Sequence, residues 1–159
     1  MEKEGYFSMS VPVSTVGVKQ GIIDLNQARD LSFDTLVIGR PIPLKYIRWG
    51  KGKPTLDPIA RTELDALVER MMVNPNLRIE IGVHSDSRGD AATDLKATQQ
   101  QAETVVAYLR EKGVPKERLS AQGYGNSRLL NHCAPGVECS EEEHAVNRRT
   151  VYTVVGTMQ

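Results

Sequence analysis

The chain has 159 residues, with 20 basic and 20 acidic side chains that give a formal net charge of zero. Interspersed charges without a polybasic run argue against nucleic acid or an anionic lipid surface as a partner, and no segment reaches the ~20 apolar residues that span a bilayer. The length suits one domain with an attached segment. Since Met1–Gly5 lacks the apolar stretch of a signal peptide, we expect that an exported protein would have its signal sequence outside this chain.

Residues 1–40 are predicted to form a β-rich segment. Short apolar runs such as Ser10–Val13 and Leu36–Ile38 are interrupted by glycine and proline, and helical periodicity of useful length is absent. We interpret this segment as the remnant of an upstream β-sandwich-like module. Residues 41–159 are then the second and principal domain.

The principal domain begins with an apparent strand, helix and strand. Leu44–Ile47 is the first strand candidate. A helix is expected to start at Asp57 and Pro58, because aspartate favours the N-cap and proline the first helical position. It should end at Asn74, which precedes a proline. Leu77–Val83 alternates apolar and polar residues, which is typical of a half-buried strand.

A second helix and a third strand follow a polar loop at Ser85–Thr93. The helix is predicted from about Asp94 to Lys112, with Gly113 as its C-cap glycine. Arg118–Gln122 is the third strand, and Gly123–Gly125 is interpreted as the turn that ends it.

A long polar loop at 126–146 and a last strand at Thr150–Val155 complete the order β-α-β-α-β-loop-β. This alternation predicts an α+β fold with a mixed sheet and both helices on one face.

Cys133 and Cys139 lie in the polar loop, separated by five residues. A close pair in a turn-rich loop favours a disulfide and hence an oxidising compartment. Two alternatives stay open, which are free thiols and a metal site, because His132 and His144 flank the pair.

Four motifs in order resemble those of the OmpA-like peptidoglycan-binding domain. They are His84–Gly89, Val105–Val114, Arg118–Gly125 and Asn147–Arg149, and the resemblance covers roughly residues 42–156. The stretch Cys-Ser-Glu-Glu-Glu-His after the first cysteine is similar to the branch found in Bacteroidetes-type outer membrane proteins.

The resemblance implies a site for diaminopimelate in the peptidoglycan stem peptide. Asp86 would bind its ammonium group, whereas Gln101 stands where the family has the arginine that binds its carboxylate. Asp94 adds a negative charge where that carboxylate would approach. Arg148 or Arg149 is a candidate for the missing positive charge, and strand alternation predicts that only one of them reaches the site.

The same residues also have structural interpretations. Asp86 would then cap its loop by accepting backbone N–H groups, and Arg148 or Arg149 would pair with Asp86 or Glu80. Gln101 would be a solvated helix residue. His84 is interpreted as a packing residue or as one that acts on the site through its neighbours.

By resemblance, the domain is a non-enzymatic anchor without cofactor or metal, on the periplasmic side of the outer membrane of a Gram-negative bacterium. Its partners would be peptidoglycan and outer-membrane proteins, with a homodimer left open. The alternative is a structural or interaction module whose OmpA-like pocket is degenerate.

Overall fold

The computed structural model describes residues 38–50 and 54–158, so the predicted β-rich segment lies outside the described residues up to position 37. The described part contains a four-stranded sheet and three α-helices. In chain order they are β1 Pro41–Pro43, α1 Pro58–Val73, β2 Leu77–His84, α2 Ala91–Glu111, β3 Leu119–Gly125, α3 Glu141–Asn147 and β4 Arg149–Thr157. None of these helices is long and apolar enough to cross a membrane.

The sheet is mixed, with strand order β1-β4-β2-β3. Strands β2 and β3 are parallel, whereas β4 runs antiparallel to both β2 and β1. In the centre, Ile81 lies opposite Ala121 on β3 and Tyr152 on β4. A parallel pair requires a crossover connection, and α2 supplies it.

The core lies on one face of this sheet. Ile79, Ile81 and Val83 point to that face at every second position of β2 and are at most 1% exposed. They belong to one apolar cluster with side chains of both long helices, including Leu64, Leu67, Met71, Ala102, Val105 and Leu109. The prediction that both helices pack on one face is therefore confirmed.

Helix α1 starts as predicted. The Asp57 carboxylate accepts a 2.7 Å hydrogen bond from the N–H of Ala60, and Pro58 occupies the first turn. At the other end, the buried guanidinium of Arg118 donates to the carbonyls of Met71, Asn74 and Leu77 at 2.8, 2.6 and 2.9 Å. The bonds to Met71 and Asn74 satisfy carbonyl groups that the end of α1 leaves without intrahelical partners, and the bond to Leu77 ties the same guanidinium to the start of β2.

Helix α2 packs directly on β3 at Gly123. A Cβ at this position would lie 2.3 Å from the backbone nitrogen of Gln99 and 2.6 Å from its Cα. The Gly123 N–H donates to Oε1 of Gln99 at 2.8 Å, and the Gly125 N–H donates to Oγ1 of Thr98 at 3.0 Å. The N-terminal half of α2 is therefore held against the end of β3.

The predicted strand at Leu44–Ile47 is wrong. The edge strand is Pro41–Pro43, the Leu44 N–H still donates to the Thr150 carbonyl of β4 at 2.9 Å, and the chain turns at Lys45 and Tyr46. The carboxylate of Glu63 on α1 accepts the N–H groups of Lys45 and Tyr46, each at 2.8 Å. These backbone groups therefore bind a side chain on a helix instead of a neighbouring strand.

Two predictions near the third strand and the long loop are also wrong. Gly123–Gly125 is the end of β3 and not a turn. The loop predicted at 126–146 contains most of α3, Glu141–Asn147. This helix begins with a capping box, in which Ser140 and Glu143 each bind the other's backbone N–H.

Helix α2 begins earlier than predicted. Its first residue is Ala91, because the carboxylate of Asp90 accepts the Thr93 N–H at 2.9 Å and so forms the N-cap. The last strand is likewise longer than predicted and begins at Arg149.

We predict that Gly123→Ala lowers the free energy of unfolding by about 3 kcal/mol or more. The new methyl group would clash with backbone atoms of α2, which cannot move aside by a change of side-chain rotamer. Urea denaturation measures this change. Gly50→Ala is the control, because a Cβ there meets no atom of the described residues within 4 Å, and its effect should stay within about 0.5 kcal/mol. Equal effects of the two substitutions would contradict the close approach.

Candidate functional site

The loop between β2 and α2 is held in place at both ends. The Ser85 N–H donates to the Gly125 carbonyl at 2.9 Å, and the Ser85 hydroxyl donates to Asp94 on α2 at 3.2 Å. A Cβ on Gly89 would lie 2.4 Å from either carboxylate oxygen of Asp94. Asp94 therefore packs against the loop backbone, and a side chain at Gly89 would force the Asp94 carboxylate to move.

Asp86 lies in this loop with its side chain only 10% exposed. Its Oδ1 accepts from the backbone N–H and Nε of Arg88, at 3.0 and 3.2 Å. Its Oδ2 accepts from Nη2 of Arg88 at 2.7 Å and from Nη1 of Arg148 at 2.6 Å. The bonds from Arg88, followed by that from Arg148, hold the pKa of the Asp86 carboxyl well below its usual range.

Glu141 joins the two arginines on their outer side. Its Oε2 accepts from Nη1 of Arg88 at 2.7 Å, and its Oε1 accepts from Nη2 of Arg148. Asp86, Arg88, Glu141 and Arg148 thus form a closed ring of alternating charge, which we call the charge ring. Its side chains range from 10% exposed at Asp86 to 60% exposed at Glu141, so the ring has a buried end and an exposed end.

Helix α3 carries two members of the charge ring, Glu141 at its first position and Arg148 at its C-cap. A buried amide network fixes the helix. Oδ1 of Asn147 accepts the Leu130 N–H at 2.7 Å, and its Nδ2 donates to Oδ1 of Asn131 at 2.8 Å. Asn147 is fully buried, so this side chain ties the end of α3 to the preceding loop and aims Arg148 at Asp86.

The two cysteines form a disulfide, as predicted. The S–S distance between Cys133 and Cys139 is 2.09 Å. Nε2 of His132 lies 3.7 Å from Sγ of Cys139 and 3.8 Å from a carboxylate oxygen of Glu143. Because thiolates bind metals and bonded sulfurs are not thiolates, the free-thiol and metal alternatives do not apply to this oxidised form. His144 lies in α3 and is buried.

Of the two neighbouring arginines, one reaches the site as predicted, but strand alternation is not the reason, because Arg148 is the C-cap of α3 and β4 begins at Arg149. Whereas Arg148 reaches Asp86, the guanidinium of Arg149 donates to the carbonyls of Asn147 and Arg128, each at 3.0 Å. Gln101 is half-buried on α2. Within the described residues, the hydrogen bonds of the charge ring do not include Gln101 or Arg149.

His84 packs on the sheet face opposite the core. Its ring stacks on Tyr124 with centroids 4.8 Å apart and planes 12° apart. The Arg128 guanidinium lies 3.9 Å from the Tyr124 ring centroid on this face. The Tyr124 hydroxyl donates to Glu80 at 2.6 Å. Among the described contacts, Glu80 therefore binds the phenol of Tyr124 and not Arg148 or Arg149, the partners considered for it from the sequence. The interpretation of His84 as a packing residue is confirmed.

Sequence reasoning missed two members of the charge ring, Arg88 and Glu141. Both had a local signal. Arg88 follows Asp86 by two residues in a tight loop, a spacing at which a side chain reaches back to the carboxylate. Ser140 and Glu143 have capping-box spacing, which predicts a helix with Glu141 as its first residue.

We predict a pH dependence of stability from His84. Burial, followed by the charges of Arg149 and Arg128, lowers the pKa of its imidazole from 6.5 to about 4. The unfolded chain therefore binds more protons than the folded protein between these values, and stability falls as pH drops through this window. The loss should reach about 3 kcal/mol by pH 4.

Urea denaturation between pH 7 and pH 4 measures this loss. His84→Phe is the matched control, because phenylalanine keeps a ring against Tyr124 without a titrating group. The variant should lose less stability than the parent over the same window. Identical pH profiles would contradict the assignment to His84.

The chain is similar to known proteins in both sequence and structure. The model of the OmpA family matches residues 48–143. Outer membrane porin F of Pseudomonas fluorescens is 30% identical over 113 residues, which are 71% of this chain and 33% of that protein. The peptidoglycan-associated lipoprotein of Legionella pneumophila is 29% identical over 94 residues, covering 59% of this chain and 51% of the relative. The chain thus spans only a third to a half of these relatives.

The fold is also found in solved structures. The crystal structure of the peptidoglycan-associated lipoprotein from Burkholderia pseudomallei superposes with a TM-score of 0.57 at 20% identity. The alignment covers 72% of this chain and 88% of the other. At this identity the likeness establishes the shared mixed α/β fold.

Proposed function

The chain belongs to the OmpA family, and from this premise we propose that its Asp86 surface binds the peptidoglycan stem peptide non-covalently. Such binding would anchor an outer-membrane protein to the cell wall. The observation that carries the proposal is a nearly buried, ionised Asp86 between two arginines, in the loop of the family's first motif. The name of the Legionella relative, a peptidoglycan-associated lipoprotein, supports it.

The chemistry of the site suits a zwitterion. The end of diaminopimelate carries an ammonium and a carboxylate group. Asp86 is the acceptor for the ammonium, because charge-assisted hydrogen bonds are the strong ones. Arg148 is the donor for the carboxylate through its planar fork. Since each Asp86 oxygen already accepts two hydrogen bonds, the ammonium replaces one of the arginine contacts when it binds.

Three further predicted residues have weaker roles in this proposal. Gln101 offers the ligand neutral hydrogen bonds in place of a charged fork, which costs on the order of 1–2 kcal/mol. Asp94 acts indirectly, because its carboxylate packs against Gly89 and so holds the loop that contains Asp86. Arg149 contributes positive potential only, because its guanidinium is engaged by backbone carbonyls.

The proposal makes this domain a non-enzymatic anchor on the periplasmic side of the outer membrane of a Gram-negative cell. The disulfide between Cys133 and Cys139 suits that oxidising compartment. The acidic stretch that follows the disulfide supports a Bacteroidetes-type protein as the source. Outer-membrane proteins and a second copy of the chain are the proposed protein partners.

A second candidate is an interaction module whose pocket is degenerate. One observation favours it, namely that the protein's own arginines already occupy the acceptor positions of Asp86. In this case the charge ring would stabilise the fold, and the partner would be a protein bound elsewhere.

We predict that calorimetric titration with a diaminopimelate-containing stem peptide detects binding to the parent. Asp86→Ala should weaken it at least about tenfold, since a charge-assisted bond is lost. Gln101→Arg should strengthen it about tenfold, because it restores a charged donor.

Asp65→Asn is the control for removal of a paired carboxylate. Asp65 accepts from Tyr108 at 2.8 Å and lies 3.1 Å from Lys112, outside the charge ring. This variant should bind like the parent. Binding by Gln101→Arg alone would identify a decayed site. Absence of binding by the parent and by Gln101→Arg would favour the interaction module.

A further inference from the structure

The outer half of the charge ring has the form of a carboxylate subsite that is already filled. Glu141 accepts one hydrogen bond from Arg88 and one from Arg148, one on each of its oxygens. We propose that Glu141 is an internal competitor, which holds Arg88 and Arg148 until the carboxylate of the ligand displaces it. This inference rests on the proposed function and names the groups that bind the ligand's negative end.

Exposure indicates which contacts of the ring open. The Glu141 side chain is 60% exposed, and Arg88 and Arg148 are 49% and 40% exposed. Ion pairs in such surroundings are weak, because water screens them and solvates the separated charges. Asp86 is only 10% exposed, and leaving it unpaired would be costly. The ligand carboxylate therefore exchanges with Glu141, while Asp86 stays bound to at least one arginine.

Glu141 can leave without unfolding its helix. The first N–H groups of α3 are capped by Ser140 and Glu143, so the Glu141 side chain is not part of the cap. A change of its rotamer frees both guanidinium groups and keeps Arg148 at the C-cap of α3. The exchange thus requires side-chain movement only.

Arg88 supplies the positive charge that Gln101 lacks. Its Nε and Nη2 donate to Asp86, while Nη1 is directed to the outer carboxylate. One guanidinium therefore fixes the acidic residue and still offers a donor to an incoming group. The second donor comes from Arg148, which has the same division between Asp86 and Glu141.

This arrangement selects a free carboxylate over its amide. Two guanidinium groups present only N–H donors, and a carboxylate offers an acceptor oxygen to each. An amide offers one oxygen, and its NH₂ group would face a donor without an acceptor. Gln101 by itself would favour the amide, so the charge ring reverses the specificity that this residue suggests.

The test is calorimetric titration of two stem peptides, one with free diaminopimelate and one amidated at its distal carboxylate, into the parent and variants. Glu141→Gln should bind the free form about 3- to 10-fold more tightly than the parent, because the competing charge is gone. Its affinity for the amidated form should not rise. Arg88→Gln should lose most of the preference for the free form.

Glu142→Gln is the matched control. It removes the same charge from the next residue of the first turn of α3, and the structure places Glu142 in solvent outside the charge ring. Its affinity for both peptides should equal that of the parent. Thermal unfolding of each variant verifies that the fold is intact.

The outcomes separate the two proposals. Binding of the free peptide by the parent with no gain in Glu141→Gln over Glu142→Gln would overturn the competitor role and leave the proposed function standing. Equal affinities of the parent for both peptides would overturn the carboxylate subsite. Absence of binding of either peptide to the parent and to every variant would overturn the proposed function together with this inference.

Discussion

The close approach of α2 to β3 at Gly123 is the constraint on which the site depends. The absence of a side chain there lets the helix backbone lie against the strand, and Thr98 and Gln99 then bind the strand's N–H groups. This contact places the first turn of α2, and with it Asp94, against the loop that follows β2. The position of Asp86 is therefore set by packing between a helix and a strand.

Electrostatics then determines how the site behaves without a ligand. A carboxylate as buried as Asp86 requires compensation, and the chain supplies it with two arginines rather than one. The surplus positive charge is balanced by Glu141 at the surface. The charge ring is therefore electrostatically satisfied on its own, and under our proposal a ligand would compete with an internal group instead of filling an empty pocket. The anchor and the interaction module therefore differ in one respect. In the anchor a ligand displaces contacts of the charge ring, whereas in the interaction module the ring stays closed.

Local sequence patterns predicted the elements whose formation depends on neighbouring residues. The cap at Asp57 and Pro58 and the alternation along β2 correctly gave α1 and the central strand. Leu44–Ile47 has the composition of a strand, but Glu63 on α1 binds the N–H groups of Lys45 and Tyr46. Helix α3 is short, and only its capping box distinguishes it from a polar loop.

The sequence by itself determined that Asp86 lies in the loop after β2, that Arg148 or Arg149 is a candidate for the positive charge at the site, and that the cysteines are close enough to bond. Only the tertiary structure decided that Arg148 reaches Asp86 across 62 positions and that Arg88 meets Glu141 across 53. The physical reason is the sheet register, in which His84 at the end of β2 lies opposite Arg149 at the start of β4. Propensities act over a few residues, whereas this register is chosen by the burial of whole strand faces.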